Sequence, residues 1–459
     1  MLIEHGFIIT MQEPHPQVLC DGAVVIEDGE ILAVGKTHEI KNRYSPETII
    51  NAQGKAVLPG LIDAHVHTGI CLLRGLAQDT EHWLQKGIGP YIPLLTREAI
   101  QAGSFLNACE AVKMGTTTLC DFSQHMSDLC SQYHQLGVRA HVCETINELP
   151  QSIADLRPGE QYPLDAQVGK EKVQRALSLI KTWHGRGLIS CMMGPQAADM
   201  CSEDVLLRVK DLARTYGMKI HMHVAQGDRE IEQMIMRYGK RTIPFLQDIG
   251  YVDSQLLAVH LTEATPEETR LLASQGSGMI FCPTSIGIID GLIPPVLTFL
   301  EAGGRGALGS DQAPGNNCTN MWNEMKMSAV LCKIQQQNPT VMPAWKALRL
   351  ATVENAHTMG LSHVGVLAPG KRADIIIVDV KQPQLSPIIT HPTCNIIPNL
   401  VYSVRGCEVE TVIIDGTVVM ENRTLTTVNE EKIVEAAQTH AERMVDKILS
   451  DPGVLEEAY

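Results

Sequence analysis

The stretch "LPGLIDAHVHTG", Leu58 to Gly69, decides how the rest of the chain is read. A Pro-Gly pair opens it, and Asp63, His65 and His67 then fall at alternate positions. Alternate residues of a β-strand point to the same face. Two imidazoles on one face at the end of a strand can close on a single ion, so the spacing predicts a metal site if other ligands converge on the same place.

Working outward, about Pro59 to Leu361 alternates apolar, β-rich runs with longer amphipathic stretches, the pattern of βα units around a parallel sheet. Eight strands are predicted, at 57–65, 116–121, 138–143, 189–194, 219–224, 256–260, 278–282 and 306–311. Between the fourth and fifth lies "SEDVLLRVKDLARTYG", where Ser202 suits a helix N-cap and Gly217 its end. Eight such units predict an α/β fold of the (β/α)8 TIM-barrel type, whose chemistry sits at the C-terminal ends of the strands. Those ends carry His65 and His67 (first), His223 (fifth), His260 (sixth) and Asp311 (eighth). Imidazole nitrogen and carboxylate oxygen suit zinc, iron, cobalt or manganese, and a catalytic ion keeps one position open for water.

The two ends of the chain read differently. "DGAVVIEDGEILAVG" near the start, with "GKRADIIIVDV" and "TVIIDGTVVMENRTL" near the finish, are short strands broken by Asp-Gly turns. They are expected to pair into one small β-domain, residues 1–58 plus 362–425. The barrel, 59–361, is then inserted between its halves, and 426–459 is a helical tail whose helix runs from Glu430 to Ile448.

The chain has 459 residues, 19% charged, a formal net charge of −15 and no long apolar run. That balance repels polyanions and excludes a nucleic-acid surface or a membrane span. The start, "MLIEHGFIITMQEP", lacks a basic n-region and apolar core. Thirteen cysteines without paired spacing are expected to be buried free thiols in a reducing compartment, the cytoplasm.

In order, "LPGLIDAHVH", "HMHVAQ", "LLAVHLTE", "GALGSDQAPGNN" and "GVLAPGKRADIIIVDV" resemble the amidohydrolase superfamily, within it the branch of atrazine chlorohydrolase, melamine deaminase and the methylthioadenosine and S-adenosylhomocysteine deaminases. The resemblance implies one divalent ion, zinc first with iron or cobalt as alternatives, held by His65, His67, His223 and Asp311. His260 stands beside the water; Asp311 is expected to accept its proton, and His260 to hold the hydroxide or polarise the substrate. A bridging lysine on the fourth strand is missing from "LISCMMGPQ", so a single ion is expected. Such an ion lowers the pKa of water from ~16 toward ~7. The resemblance also implies that the β-domain of both chain ends, 1–58 plus 362–425, is a β-sandwich, and it implies a small-molecule substrate and a homo-oligomer of two or more copies.

Two departures bear on the substrate. Relatives carry "HLAE" on the fifth strand, where a glutamate relays protons; here "HVAQ" places Gln226, an amide that hydrogen-bonds but does not cycle a proton near neutrality. Proton relay is worth ~10²–10⁴ in rate. Either the leaving group needs little protonation, or the substrate arrives activated, or His260 and Asp311 carry all the protons; the alternative is that Gln226 only orients substrate. On the seventh strand Ile286 stands where relatives place an amide. Trp83, Gln226, His260 and Asn317 are the expected substrate contacts, while Asp121 and His125 face the same rim. The primary expectation is hydrolytic deamination of a nitrogen heterocycle. Chlorohydrolase-like, thiocarbamate or amide hydrolysis is the alternative that Gln226 favours, and a non-catalytic scaffold fits poorly with a complete ligand set.

Overall fold

The computed structural model describes residues 1–12, 18–150 and 159–450. The chain opens with β1 (Leu2–Ile9), β2 (Val18–Glu27), β3 (Glu30–Lys36), β4 (Ile49–Asn51) and β5 (Lys55–Pro59). The Asp28-Gly29 pair joins β2 to β3 with φ of 49° and 78°. Positive φ at both central residues gives a turn whose twist matches that of antiparallel strands.

Next come β6 (Leu61–Val66), β7 (Thr116–Ser123), β8 (Arg139–Ile146), β9 (Ile189–Cys191), β10 (Gly194–Pro195), β11 (Ile220–Val224), β12 (Leu256–His260), β13 (Gly278–Phe281) and β14 (Arg305–Leu308). They form two parallel sheets, β6-β7-β8-β10 with β9 beside β8, and β11-β12-β13-β14. Isolated bridges link the sheets at both seams: Met193 and Ala197 pair with Ile220 and His223, and Val66 pairs with Asp311. Every residue of β6, β7, β8, β11, β12 and β13 is buried, as parallel strands covered on both faces require. Helices fill the crossovers; that of Glu203–Tyr216 is capped by the Ser202 hydroxyl, which accepts from Val205 N–H, and ends at Gly217 in the left-handed conformation.

Two expected strands divide. The run 57–65 is cut at Gly60 into β5 and β6, which belong to different sheets. A Cβ at Gly60 would lie 2.1 Å from Thr117 Oγ1, so only glycine lets the chain cross between the sheets there. The run 189–194 splits into β9 and β10, and Gly194 packs so tightly on β8 that a Cβ would lie 2.7 Å from the Glu144 carbonyl.

The late strands are β15 (Ile375–Asp379), β16 (Val409–Ile414), β17 (Thr417–Glu421) and β18 (Thr424–Leu425). Strand β15 pairs antiparallel with β5, setting Lys55 opposite Asp379 and Pro59 opposite Ile375. The two chain ends thereby build one nine-stranded sheet. A final helix, Glu430–Ser450, packs back on the helix Arg97–Lys113, with Lys113 Nζ paired to Glu430 at 2.7 Å. All thirteen cysteines are unpaired and nine are buried, while Cys20, Cys394 and Cys407 are exposed. Among the described residues no helix is long and apolar enough to cross a membrane.

Candidate metal centre and its cavity

The C-terminal ends of β6, β11 and β12 and the segment that follows β14 (Arg305–Leu308) bring five side chains together, His65, His67, His223, His260 and Asp311. Nε2 of His67 lies 3.2 Å from Nε2 of His223. The opposite nitrogens settle what those atoms are. Nδ1 of His67 lies 2.5 Å from the Phe122 carbonyl and Nδ1 of His223 lies 2.6 Å from the Gln196 carbonyl. A carbonyl only accepts, so each Nδ1 carries the ring proton and each Nε2 presents a bare lone pair. Two lone pairs facing each other repel unless a cation sits between them.

Asp311 completes the ring of donors. Its Oδ1 lies 3.5 Å from Nε2 of both His65 and His67, and its Oδ2 accepts from Ser285 Oγ at 2.7 Å. Nε2 of His65 and both ring nitrogens of His260 are buried without a hydrogen-bond partner. Leaving buried polar atoms unpaired costs ~1–3 kcal/mol each, which a shared cation offsets. His65, His67 and His223, and likewise His65, His260 and Asp311, place their donor atoms within 4.8 Å of one another. The residues therefore fit a divalent transition ion. Burial pushes His65 and His260 well below the ordinary imidazole range and His223 to about 4; neutral imidazoles are the ligating form.

The backbone is bent to make this possible. His260 and Asp311 both adopt left-handed conformations, with φ of 76° and 66°, a local cost of ~1–3 kcal/mol. Asp311 N–H donates to the His65 carbonyl at 2.8 Å, locking the two residues together. Beneath them Asp63 accepts from Ser310 N–H at 2.9 Å, and burial pushes its carboxyl up to about 7.

Above the donors opens a cavity of about 290 Å³ whose lining includes His67, His223, Asp311, Trp83, Gln226 and Arg229. Trp83 donates its indole N–H to the Ala77 carbonyl at 2.8 Å and shows its ring to the cavity. Gln226 lies one residue beyond a left-handed Ala225. The turn is clamped by Glu230, whose carboxylate accepts from the N–H groups of Ala225 and Gln226 at 2.9 Å each. His125 also lines the cavity, whereas Asp121 is buried beneath it, accepting from Thr68, Ser123 and Tyr133.

Two expected substrate contacts are placed elsewhere. Asn317 is not on the cavity lining. It ends the short helix Ala313–Asn316 at φ 66°, its N–H donating to Ala313 O at 2.7 Å, so it serves the turn. His260 is fully buried beside His223, ring centroids 5.4 Å apart, and is absent from the lining as well.

The family profile described as "Amidohydrolase family" matches residues 56–419. The chain belongs to the amidohydrolase family. Among curated amidohydrolase relatives, a 5'-deoxyadenosine deaminase of Methanosarcina acetivorans is 34% identical over 452 residues, covering 97% of this chain and 98% of its own. A 5-methylthioadenosine/S-adenosylhomocysteine deaminase of Pelotomaculum thermopropionicum is 34% identical over 451 residues, covering 97% and 99%. Among solved structures, an adenosine deaminase of Xanthomonas campestris with bound zinc superposes with a TM-score of 0.89 at 28% identity, covering 97% of this chain and 98% of that one. The atrazine chlorohydrolase of Arthrobacter aurescens complexed with zinc shares the fold, with a TM-score of 0.83 at 20% identity over 96% and 99% of the chains.

Around the site of this amidohydrolase lie three residues that the sequence did not single out. Arg229 enters the cavity, ion-paired to the fully buried Asp199 and lying 5.8 Å from the Tyr162 ring. Gln196 supplies the carbonyl that orients His223. His221, two residues before His223 on β11, touches His65. The last was within reach of the sequence, since "HMH" repeats the alternation of "HVH"; the first two depend on how loops fold back.

Proposed function

We propose that this amidohydrolase is a hydrolytic deaminase that replaces an amino group by oxygen at a cyclic amidine carbon of a purine-like heterocycle, with adenine nucleosides first among its substrates. The observation that carries this reading is the pair of bare Nε2 atoms, 3.2 Å apart at the floor of a cavity of about 290 Å³; the names of the relatives supply the substrate class. A pocket of that volume is at the small end of ligand sites and suits a compact heterocycle.

His65, His67, His223 and Asp311 would hold one divalent ion, and imidazoles with a carboxylate favour zinc. When bound, such an ion makes water an effective nucleophile near neutral pH. Asp311 keeps Oδ1 on the side of the imidazoles while Ser285 occupies Oδ2, so Oδ1 is the acceptor for a proton leaving water. His260, whose ring nitrogens have no hydrogen-bond partner, would hold the nucleophile's orientation. Trp83 covers the heterocycle, and Gln226 donates a hydrogen bond to a ring nitrogen without protonating it.

The bridges Met193–Ile220 and Val66–Asp311 support reading 59–361 as a closed (β/α)8 barrel. The mixed sheet of both chain ends supports a composite β-sandwich of 1–58 plus 362–425. The tail, 426–459, is helical as far as Ser450, and residues beyond it lie outside the described residues. Unpaired, largely buried thiols and the acidic balance support a cytoplasmic enzyme of small molecules, and the family resemblance supports a homo-oligomer.

A second reading, displacement of chloride, thiolate or another group, is favoured by Gln226 on the lining in place of a carboxyl. One assay separates the two. Purified protein is incubated with 5'-deoxyadenosine, methylthioadenosine, adenosine and halogenated or thioalkylated triazines, and ammonia, chloride and thiol are measured with and without a chelator. Chelator-sensitive ammonia from an adenine nucleoside is expected. Chloride or thiol without ammonia would establish the second reading, and no product from any compound would remove both.

A further inference from the structure

The three histidines His65, His67 and His223, whose donor atoms lie within 4.8 Å of one another, are not held in the same way. His67 and His223 fasten their Nδ1 atoms to main-chain carbonyls, which no side-chain substitution removes. His65 has no such carbonyl; its Nδ1 lies 2.9 Å from Nε2 of His221, and both residues are fully buried. We propose that His221 is a positioning residue that accepts the Nδ1–H of His65 and so keeps the Nε2 lone pair of His65 turned toward Asp311 and the ion. The inference rests on the ligand assignment made above.

Proton counting carries it. A ligating imidazole is neutral and a neutral imidazole holds one ring proton, and only one hydrogen fits between Nδ1 of His65 and Nε2 of His221, 2.9 Å apart. If His221 supplied that hydrogen, His65 would carry its own proton on Nε2. An N–H would then stand where a ligand needs a lone pair, 3.5 Å from Asp311 Oδ1. If His65 supplies it, Nε2 is bare and waits for a cation, matching its lack of any hydrogen-bond partner. His221 then keeps its proton on Nδ1, which also has no partner. That unpaired N–H is the cost of the arrangement, and ligation at His65 offsets it.

His221 belongs to neither cluster of convergent donor atoms, so it acts through His65. The arrangement follows from the strands: His221 and His223 alternate on β11, so both face the interior that His65 enters from β6. One strand thus provides a ligand and, one step deeper, the acceptor that orients a second ligand. Partners of ligating histidines commonly fix the tautomer and carry a ~10–100-fold share of metal affinity.

The test compares His221→Leu, which keeps bulk and removes the acceptor, with His221→Gln, whose Oε1 reaches about as far as Nε2. Zinc dissociation constants are read by competition with a chromophoric chelator, and ¹⁵N-histidine NMR of the zinc-loaded wild type reports which nitrogen of His65 bears hydrogen. A ~10–100-fold weaker constant in the leucine variant, recovery of most of it in the glutamine variant, and a protonated Nδ1 on His65 are expected. Wild-type affinity in a folded leucine variant, a glutamine variant as weak as leucine, or a proton on His65 Nε2 would each overturn the proposal. If the leucine variant fails to fold, the NMR measurement decides. A wild type that takes up no zinc would overturn the ligand assignment itself, whereas zinc uptake indifferent to residue 221 would sink only this inference.

Discussion

The floor and the roof of the cavity are built on opposite principles. The floor is polar and deeply buried, and its donors stand at strand ends, fastened by the carbonyls of Phe122 and Gln196, the His221 ring and the Ser285 hydroxyl. The roof is apolar and irregular. Trp83–Ile88 is a π-helical turn and Ile92–Leu94 a single 3₁₀ turn, and this cap packs on Leu73, Ala77 and Met444 of the C-terminal helix. Rigid scaffolding fixes where bonds are made, and a loosely specified cover chooses what is admitted. Changes in the floor should abolish the chemistry, and changes in the roof should retune it.

The sharpest way to break that contrast is His223→Ala. One of the two facing lone pairs is lost, and chelator-sensitive turnover should fall below detection together with zinc content. Turnover at the wild-type rate would end the assignment of the floor. Acid should act on the same place. Burial holds His141 on β8 down to about 3, His223 to about 4, and His65, His221 and His260 well below the ordinary imidazole range, whereas imidazoles of an unfolded chain titrate near ~6.5. Between those values the unfolded state binds more protons, so stability rises with pH and is lost as pH falls from ~6.5 toward ~4. Asp63 and Glu230, pushed up to about 7, and Glu324, pushed up to about 8, work the other way, because the folded state keeps their protons longer. The metal-free protein should therefore melt highest at roughly pH 6–7. A melting temperature that climbs steadily from acid to alkaline pH would show that these groups are not buried as described.

Where floor meets roof, Gln226→Glu should raise ammonia release by ~10²-fold, because a carboxyl can pass a proton to the ring that an amide cannot. A rate unchanged or lowered, by the same ammonia assay, would mean that the amide itself is what the substrate needs. The mildest change is in the roof: Trp83→Ala should raise KM by roughly tenfold, the loss of one aromatic contact, and leave kcat within a few-fold. A collapse of kcat instead would place the indole among the groups that act on the reacting atoms.

The same division governs what could be read from the sequence. His65, His67, His223, His260 and Asp311 were legible because strand alternation and strand ends carry position directly. The Asp-Gly turns and the pairing of both chain ends were legible because two residues with positive φ leave few other options. The break at Gly60 was hidden: "VLPGLIDAH" is β-rich throughout, and only the approach of Thr117 shows that the strand must change sheets. Asn317 was misplaced because a polar residue near a ligand looks the same in sequence whether it faces a cavity or closes a turn. Arg229 and the cap were out of reach, since neither a π-helical turn nor a buried ion pair with Asp199 leaves a periodic trace.

Strand β5 meets β15 only when Lys55 lies opposite Asp379. During synthesis at ~5–20 residues per second the amino-terminal strands wait on the order of tens of seconds for that neighbour. Through that interval one side of β5 is an open edge, able to recruit another nascent chain. The yield of soluble protein should therefore depend on translation speed and chaperone supply more than the finished enzyme's stability would suggest.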